Sequence, residues 1–372
     1  MMQEVGTAPL LLHVFPTFAV GGAQMRMAAV ANRFGSALRH AVVAMDGDLA
    51  ARQRLRPDLA VQFPAVTVRK GDLAGNLVRF VRVLRHLRPD VLVTHNWGTI
   101  EWVLANALAR RRHVHIEDGF GPDERTRQLP RRILARRIAL RPATVVLPSR
   151  TLWRIARDTW RLPKRRLRYV PNGIDLARFM PGPSDAPPWP RDLPVIGTVA
   201  ALRAEKNLAR LIRAFALVQR RQPARLVVVG DGPERPALAG LAESLGIGER
   251  VHFAGHMAAP SLAYRNFDIF ALSSDTEQMP LSVLEAMGSG LPVAATDVGD
   301  VAAMLPAVGR PFVVAKDEAA LADALGALLA DRALCRALAD ANRAHALAHF
   351  DQETMFAAYA GLFGIDPQAG CA

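Results

Sequence analysis

Short apolar runs alternate with stretches in which apolar side chains recur every three or four residues along most of the 372-residue chain. The short runs predict buried strands, and the periodic stretches predict amphipathic helices. In the first half the predicted strands are residues 10–15, 40–45, 91–95, 113–117 and 143–149, and the clearest helices are 23–34 and 73–87. Such an alternation is typical of a doubly wound α/β fold.

The alternation restarts in the second half of the chain. The predicted strands there are residues 194–200, 225–230, 251–255, 269–274 and 292–298, and the predicted helices are 207–221, 235–245 and one around Glu285. Two strand–helix sets of this size suit two domains of ordinary length. They predict two Rossmann-like doubly wound domains that face each other across a cleft at the carboxyl ends of the strands, where ligands usually bind.

A proline-rich segment separates the two sets and predicts a linker at residues 179–193. The domains are accordingly predicted at residues 1–178 and 194–348. The remaining segment, 349–372, contains an amphipathic helix at about 350–363. Its apolar face is compatible with packing back on the first domain.

Composition predicts a folded cytoplasmic protein. Apolar residues make up 51% of the chain, enough for a large core. No run approaches the roughly 18 apolar residues of a membrane-spanning helix, and the apolar N-terminal run lacks the basic segment of a signal peptide. The two cysteines, Cys335 and Cys371, have no metal-ligand spacing. Neither a disulfide framework nor a zinc site is therefore expected.

The net charge of +13 is concentrated in the first half of the chain. Residues 1–180 contain 31 Lys and Arg against 13 Asp and Glu, whereas residues 181–372 contain 16 against 21. This asymmetry indicates that the first domain meets an anionic surface or substrate. Because nearly all of the cations are Arg in an Ala-rich chain, a bias in coding composition is an alternative explanation.

Two glutamates, Glu277 and Glu285, stand eight positions apart in an otherwise apolar stretch. Burying a carboxylate is costly unless it is paired, so these side chains either face solvent or bind a partner. Pro280 suits the first turn of a helix and Gly288 its end. We therefore predict a short helix after the strand 269–274, with Glu277 in the loop before it and Glu285 in its second turn.

A helix that begins at the carboxyl end of a strand favours a phosphate group. Its first backbone N–H groups are free, and the helix dipole adds a partial positive charge. A carboxylate beside such a site can accept hydrogen bonds from paired sugar or ribose hydroxyls.

The arrangement E-x7-E followed by AMGSGLPVAATDVG resembles the signature of retaining nucleotide-sugar glycosyltransferases of the GT-B fold, in the large group 1 (family 4-like) family. Further matching segments, in the family's order and over nearly the whole chain, are VGGAQ (20–24), VPNGID (170–175), GTVAALRAEKNLARLIRAF (197–215), VVVGDGPERPAL (227–238) and VHFAGH (251–256). The resemblance implies the two-domain GT-B architecture and a hexosyltransferase whose donor is a nucleoside diphosphate sugar, UDP- or GDP-linked.

For the second domain the resemblance implies a donor site. Arg203 and Lys206 would neutralise the diphosphate as it departs. Glu285 would bind the ribose hydroxyls, and Glu277 would hold the transferred sugar or its adjoining phosphate. The other implied donor contacts, through the main chain, are Gly255, His256 and Met257 at the base, Met279, Pro280 and Leu281 beside Glu277, and the turn Gly230, Asp231 and Gly232 at the same edge.

For the first domain the resemblance implies a closer backbone approach to phosphate at Gly21 and Gly22. A plain strand-to-helix turn is the alternative for that glycine pair. His95 and Asn96 end a strand and are candidate sugar or acceptor contacts. A buried structural role is the alternative for His95.

Three places depart from the family pattern, one of which is the segment after Glu277, which reads QMPL where many members have GFGL. Many members have a histidine–glycine pair near the reacting sugar, where this chain has Asp118–Gly119. An acidic group there is predicted to contact a donor hydroxyl or to act on the acceptor. His115 lies on the same side of its strand as Glu117 by alternation. The glutamate that often follows the glycine pair is Gln24.

A metal ion is not expected. Asp46-Gly47-Asp48 has the spacing of the metal-binding motif of another glycosyltransferase fold, but it is far in sequence from the donor residues, so we predict a solvated turn. With Arg203 and Lys206 available for the diphosphate, the resemblance implies a reaction without metal or other cofactor.

Family members keep the anomeric configuration of the donor, and the sequence places no carboxylate as a nucleophile. A front-face transfer is therefore the predicted mechanism. The predicted acceptor is a glycan or a lipid-linked molecule in cell-surface polysaccharide or glycolipid synthesis. The basic runs 125–141 and 161–168 predict contact with an anionic membrane at its inner face.

Three other classes of protein are compatible with parts of the pattern. An epimerase or a phosphorylase could share the GT-B fold, although the chain has no cofactor-lysine site that would indicate a phosphorylase. A nucleic-acid-binding protein is suggested by the basic half, but only Trp153, Trp160 and Tyr169 lie near the basic runs as stacking groups. A dinucleotide dehydrogenase is disfavoured because no strand-to-helix turn carries a convincing G-x-G-x-x-G.

Overall fold

The computed structural model describes residues 8–124, 127–182 and 187–370. The chain divides into two compact units: Met1–Pro171 with Met355–Ala372, and Asn172–Thr354. Parts of three sequence predictions lie outside the described residues, namely the first two residues of the basic run 125–141, residues 183–186 of the predicted linker, and Cys371.

The first unit is built on a parallel sheet of seven strands. Their bounds are β1 (Leu10–Phe15), β2 (Arg39–Ala44), β3 (Val61–Gln62), β4 (Val91–His95), β5 (Arg112–Ile116), β6 (Thr144–Leu147) and β7 (Leu167–Tyr169). They lie in the order β3-β2-β1-β4-β5-β6-β7, and every pair is parallel. The strand order reverses between β1 and β4, which is where α/β sheets bind ligands.

The second unit has a parallel sheet of six strands. Their bounds are β8 (Val195–Val199), β9 (Arg225–Val229), β10 (Val251–Gly255), β11 (Ile269–Leu272), β12 (Val293–Thr296) and β13 (Val313–Val314). The order is β10-β9-β8-β11-β12-β13, again with all pairs parallel. Its order also reverses, between β8 and β11.

Helices connect most pairs of consecutive strands in both sheets. Those before residue 172 are α1 (Gly22–Phe34), α2 (Leu73–Leu87), α3 (Ile100–Ala109), α4 (Pro130–Ala139) and α5 (Arg150–Asp158). The later ones are α6 (Leu208–Gln219), α7 (Arg235–Ser244), α8 (Ser261–Tyr264), α9 (Leu281–Gly288), α10 (Val301–Met304), α11 (Glu318–Ala330), α12 (Arg332–His349) and α13 (Gln352–Phe363). Single 3₁₀ turns occur at Gly35–Ala37, Ala50–Arg54, Trp97–Thr99, Pro122–Glu124, Lys164–Arg166, Ala204–Lys206, Gly248–Arg250 and Ala307–Phe312. No helix among the described residues has the length and hydropathy needed to cross a bilayer.

The last helix belongs mainly to the first unit. Met355, Phe356, Tyr359 and Phe363 of α13 are buried in one apolar cluster with side chains of β1, α1 and β4. The described parts of the segment 179–193, for which the sequence predicts a linker, lie in the second unit, where the Phe179 and Trp189 side chains are buried in the core. Both segments thus contribute apolar surface to a folded unit.

Candidate functional site

In the second unit, the loops that follow β8, β9 and β10 are hydrogen-bonded to one another. The amide of Gly230 donates to the carbonyl of Gly255 at 2.8 Å, and the amide of Leu202 donates to the carbonyl of Asp231 at 3.0 Å. Gly230 has a φ of 128°, and a Cβ there would lie 1.9 Å from the carbonyl oxygen of Ala200. Only glycine fits this close approach. The fold thereby brings Gly230, Asp231 and Gly255 to one edge of the sheet.

The loop after β8 is also tied to the loop after β11. The amide of Asp275 donates to the carbonyl of Glu205 at 2.9 Å, and the Ser273 hydroxyl donates to the carbonyl of Lys206 at 3.0 Å. Arg210 of α6 forms an ion pair with Asp275 at 2.7 Å. These contacts fix the backbone on both sides of the predicted diphosphate site.

Lys206 and Glu277 meet between these two loops. The Lys206 Nζ atom lies 2.5 Å from Glu277 Oε1, and the Ser274 hydroxyl donates to the same oxygen at 2.8 Å. Lys206 retains 26% of its side-chain exposure and Glu277 retains 11%. Arg203 is exposed and makes no side-chain hydrogen bond or ion pair with a described residue. The group therefore carries two cations and one carboxylate at the surface.

Glu285 lies in the second turn of α9, as the sequence predicts, and is half-buried. The Tyr264 hydroxyl donates to Glu285 Oε2 at 2.7 Å. Burial raises the pKa of Glu285, whereas the Tyr264 hydrogen bond and the charge of Arg178 oppose that rise. Glu285 Oε1 has no hydrogen-bond partner among the described residues. One oxygen is thus anchored and the other remains available as an acceptor.

The loop before α9 has a fixed course. The side-chain amide of Asn172 donates to the carbonyl of Met279 at 2.9 Å. Gly299, with a φ of 56°, approaches the loop so closely that a Cβ would lie 2.3 Å from the carbonyl oxygen of Glu277. The amides of Leu281 and Ser282 at the start of α9 donate to no described residue. With Pro280 as the preceding residue, α9 presents free N–H groups of the kind that bind phosphate.

The remaining second-unit candidates follow β10 and β9. Gly255 ends β10 with a φ of 70°, His256 is exposed, and Met257 is half-buried against the core. Gly232 has a φ of 159° and approaches the carbonyl of Leu202, where a Cβ would lie 2.5 Å away.

In the first unit, the glycine pair begins α1. Gly21 is the N-cap in an extended conformation, and Gly22 is the first helical residue. Gln24 folds back so that its side-chain amide donates to the carbonyl of Thr17 at 2.8 Å. Its Oε1 atom lies 2.8 Å from where a Cβ of residue 21 would be. Gly21 therefore leaves room for the Gln24 side chain.

His95 is buried and stacks on Phe15, with ring centroids 3.7 Å apart. Neither ring nitrogen has a hydrogen-bond partner in the described part of the chain, and burial together with the nearby His13 lowers the pKa of His95 well below its usual value. These contacts are those of a neutral core residue. Asn96 follows with a φ of 59°, and its side-chain oxygen accepts from the amide of Asp118 at 2.7 Å.

Asp118 is ion-paired with Arg26 of α1 at 2.7 Å, and 18% of the Asp118 side chain is exposed. Arg26 is buried and also contacts Tyr359 of α13. Burial alone lowers the pKa of Arg26, but Asp118 and Tyr359 outweigh that effect and raise it above the usual value. Asp118 therefore faces a fixed cation, so its carboxylate is positioned rather than mobile.

Glu117 is fully buried in a different cluster. Its Oε2 atom lies 3.4 Å from Arg136 Nε and 3.5 Å from His115 Nε2, in agreement with the predicted shared side of the strand. Arg136 also pairs with Glu124 at 2.9 Å, and its guanidinium lies 5.0 Å from the Trp160 ring centre. Glu117 and Glu124 thus place two carboxylates beside a buried cation inside the first unit, which is a structural role.

The turn Asp46-Gly47-Asp48 is exposed to solvent, as the sequence predicts. Asp46 and Asp48 are exposed, and their carboxylates accept hydrogen bonds at 2.9 Å from the amides of Asp48 and Ala50. The described residues contain no group of three or more His, Cys, Asp or Glu side chains placed to hold a metal ion.

The structure also shows contacts that the sequence alone did not indicate. Tyr264, Asn172, Arg178 and Arg26 support predicted site residues from distant positions in the chain. Asn172 lies within the matched segment 170–175, so that motif was a usable signal. For the other three, no local pattern marks the residue.

Two family descriptions match most of the chain. Residues 20–178 match Glycosyltransferase Family 4, and residues 184–345 match Glycosyl transferases group 1. The D-inositol 3-phosphate glycosyltransferase of Actinosynnema mirum is 30% identical over 293 residues, which cover 68% of each chain. The protein of the same name from Nocardia farcinica is 30% identical over 69% of this chain, and the match spans 62% of the Nocardia protein.

A GDP-mannose-dependent alpha-(1-6)-phosphatidylinositol monomannoside mannosyltransferase of Mycolicibacterium smegmatis is 32% identical over 54% of this chain and 56% of its own. Among solved structures, Anabaena HepE in complex with UDP-glucose superimposes with a TM-score of 0.79 at 21% identity, over 96% of this chain and 99% of that one. This likeness confirms the predicted fold of two Rossmann-like units.

Proposed function

We propose that this chain, which belongs to the group 1 glycosyltransferases of the GT-B fold, transfers a hexosyl group. The donor is a nucleoside diphosphate sugar, and the acceptor is a hydroxyl group. The observation that carries the proposal is the arrangement of Lys206, Glu277 and Glu285 around the start of α9. A lysine, free helix N–H groups and an accepting carboxylate match a diphosphate followed by a ribose.

Each group has a role in this proposal. Lys206 exchanges its contact with Glu277 for the departing phosphate, and Arg203 adds a second positive charge. Glu277, released from Lys206, accepts a hydroxyl of the sugar. Glu285 Oε1 accepts a ribose hydroxyl while Tyr264 holds the other oxygen. The main chain at Gly255, His256 and Met257 contacts the base.

The proposed chemistry is a front-face transfer with retention and without a metal ion. The departing phosphate oxygen helps to deprotonate the acceptor while Arg203 and Lys206 stabilise the charge that develops on it. Asp118 contacts a hydroxyl of the donor or acceptor as a carboxylate oriented by Arg26.

Retention and metal independence are tested together. We expect full activity in excess EDTA and a product whose anomeric coupling constant, measured by proton NMR, equals that of the donor. An inverted product, activity restored only by a divalent cation, or a glycosyl adduct on Glu277 or Asp118 found by mass spectrometry would contradict this mechanism.

The similar proteins suggest where to search for substrates. Their names include GDP-mannose as donor and D-inositol 3-phosphate and a phosphatidylinositol mannoside as acceptors, and the Anabaena structure holds UDP-glucose. We propose a UDP- or GDP-linked donor and a phosphate-bearing or lipid-linked acceptor that meets the basic first unit. The enzyme would then act on a glycolipid or cell-surface glycan at the cytoplasmic face of a membrane.

A thermal-shift screen with UDP, GDP and ADP tests the donor site. A ligand that binds only the folded protein stabilises it by RT ln(1 + [L]/Kd), about 2.7 kcal/mol at a hundredfold excess over Kd. We expect one nucleotide to raise the melting temperature, and Glu285→Ala to abolish the rise because the ribose acceptor is lost.

The matched control is Glu243→Ala, an exposed glutamate of α7 in the same unit, which should keep the full rise. Tyr264→Phe keeps the Glu285 carboxylate but removes the hydrogen bond that holds it, so a partial loss of the thermal shift is expected. A nucleotide shift that survives Glu285→Ala would place the nucleotide elsewhere, and no shift with any nucleotide would contradict the proposed function.

A further inference from the structure

The neighbouring helices α3 and α4 of the first unit expose large aliphatic side chains to solvent. The exposed fractions are 40% for Leu104, 66% for Leu108, 56% for Leu134 and 65% for Ile138. Leu108 and Ile138 are the most exposed large apolar residues in the described part of the chain. Each pair is spaced by four residues, so both members lie on the same face of their helix.

The two helices lie side by side on one face of the sheet. They connect β4 to β5 and β5 to β6, which are adjacent strands in that order, and right-handed crossovers place both connections on the same face. Val103 of α3 and Ile133 of α4 share one apolar cluster. The outward positions of α3 and α4 therefore form one surface, which we call the α3–α4 face and define by Leu104, Leu108, Leu134 and Ile138.

Arginines frame the α3–α4 face. Arg110 follows α3, Arg137 lies within α4, and Arg141 follows α4. All three are exposed, and their side chains make no hydrogen bond or ion pair with a described residue. Residues 73–158 contain 17 Arg and 7 Asp or Glu. Of those acids, Glu117, Glu124 and others are already paired with arginines, so the uncompensated charge is positive.

We propose that the α3–α4 face docks on an anionic lipid bilayer, with the aliphatic side chains in the headgroup–acyl boundary and the arginines against lipid phosphates. Transfer of a solvent-exposed aliphatic patch from water into hydrocarbon lowers the free energy. The surrounding arginines add electrostatic attraction to a negatively charged leaflet. A nucleic acid would instead favour aromatic stacking groups, and the four residues that define the face are aliphatic. The inference rests on the proposed membrane-bound acceptor, for which it supplies the contact surface.

Vesicle flotation tests the face without any knowledge of the substrates. We expect the protein to float with phosphatidylcholine vesicles that contain roughly 30% phosphatidylglycerol and to stay in solution with phosphatidylcholine alone. Leu108→Glu with Ile138→Glu should lower the partition coefficient about tenfold or more, because the charged groups oppose insertion. Arg137→Glu with Arg141→Glu should lower it similarly, and binding of the unaltered protein should weaken as salt is added.

The matched control is Val308→Glu with Leu347→Glu, which are 58% and 52% exposed in the second unit and should not change flotation. Circular dichroism and the nucleotide-induced thermal shift of each variant show whether its fold is kept. Flotation that is equal for the α3–α4 and control variants would overturn the proposal, as would binding to duplex DNA with no binding to vesicles. Anionic-vesicle binding that depends on the face but is accompanied by no nucleotide shift would support the face and contradict the proposed function.

Discussion

Acidification from about pH 7.5 to about pH 5 is expected to unfold the first unit, because three buried histidines must then take up protons. His13, His40 and His95 are at most 3% exposed. His13 Nε2 lies 3.2 Å from His40 Nδ1, and the His13 and His95 ring centroids are 5.9 Å apart. Burial lowers the pKa of His40 to about 4 and that of His13 and His95 well below the usual value.

The sign follows from where the protons bind. In the unfolded chain a histidine has a pKa near 6.5, so below that pH the unfolded state binds more protons and the free energy of unfolding falls. The stability is therefore present above about pH 6.5 and is lost as the pH decreases. For His40, with a pKa of about 4 in the folded state, the loss is roughly 2 kcal/mol between pH 7.5 and 5, and His13 and His95 add to it in the same direction. A typical domain has about 5–15 kcal/mol in total.

Tryptophan fluorescence can follow this unit, since Trp97, Trp102, Trp153 and Trp160 belong to it and the fifth tryptophan, Trp189, does not. His95→Phe should keep the stack on Phe15, remove one proton acceptor and lower the pH of the unfolding midpoint. The exposed His349→Phe serves as the control and should leave the midpoint unchanged. A melting temperature that stays constant from pH 7.5 to pH 5 would show that the buried histidines do not limit stability.

Lys206→Met is expected to lower kcat by about 10²–10³-fold, the effect of removing one group that stabilises charge in the transition state. Lys206 contacts Glu277, and in the proposed reaction the negative charge on the departing phosphate grows as the sugar leaves. The loss should therefore appear in kcat more than in KM. Release of the nucleoside diphosphate, measured with the donor sugar of the nucleotide that the thermal-shift screen selects, gives both constants.

Arg203→Met should lower kcat as well, since Arg203 is exposed and has no partner among the described residues that would hold it away from a ligand. Arg221→Met is the matched control: it removes an exposed arginine of the same unit that pairs with Asp323 at 3.4 Å. A Lys206→Met enzyme within threefold of the unaltered kcat would remove this lysine from the proposed mechanism.

The predicted strands agree best with the structure where all residues of the strand are buried. All six residues of β1 are buried and five of them are apolar, His13 being the exception, and the run matches the predicted strand residue for residue. The short edge strands β3, β7 and β13 were not predicted, because two or three half-exposed residues give no period. Helix α11 is so rich in alanine and leucine that its apolar and polar faces differ little, and it too was not predicted.

The residues of the candidate site also differ in whether the sequence could reveal them. Lys206, Glu277 and Glu285 stand in local motifs, and the sequence alone marked them. Tyr264 and Arg26 do not, since the first reaches its partner across 21 residues and the second across 92. Tertiary packing determines such contacts, and it cannot be inferred from the local pattern of a single sequence.

The first unit is assembled from two separated pieces of chain, and this imposes an order on its synthesis. Met355, Phe356, Tyr359 and Phe363 cover the apolar side chains of Leu11, Val30 and Phe34, yet they are made after the whole of residues 172–354. While the ribosome translates the second unit, that apolar surface of the first has no cover. The emerging chain must wait for its last helix before its first unit is complete, and a protein ending near residue 350 would never complete it.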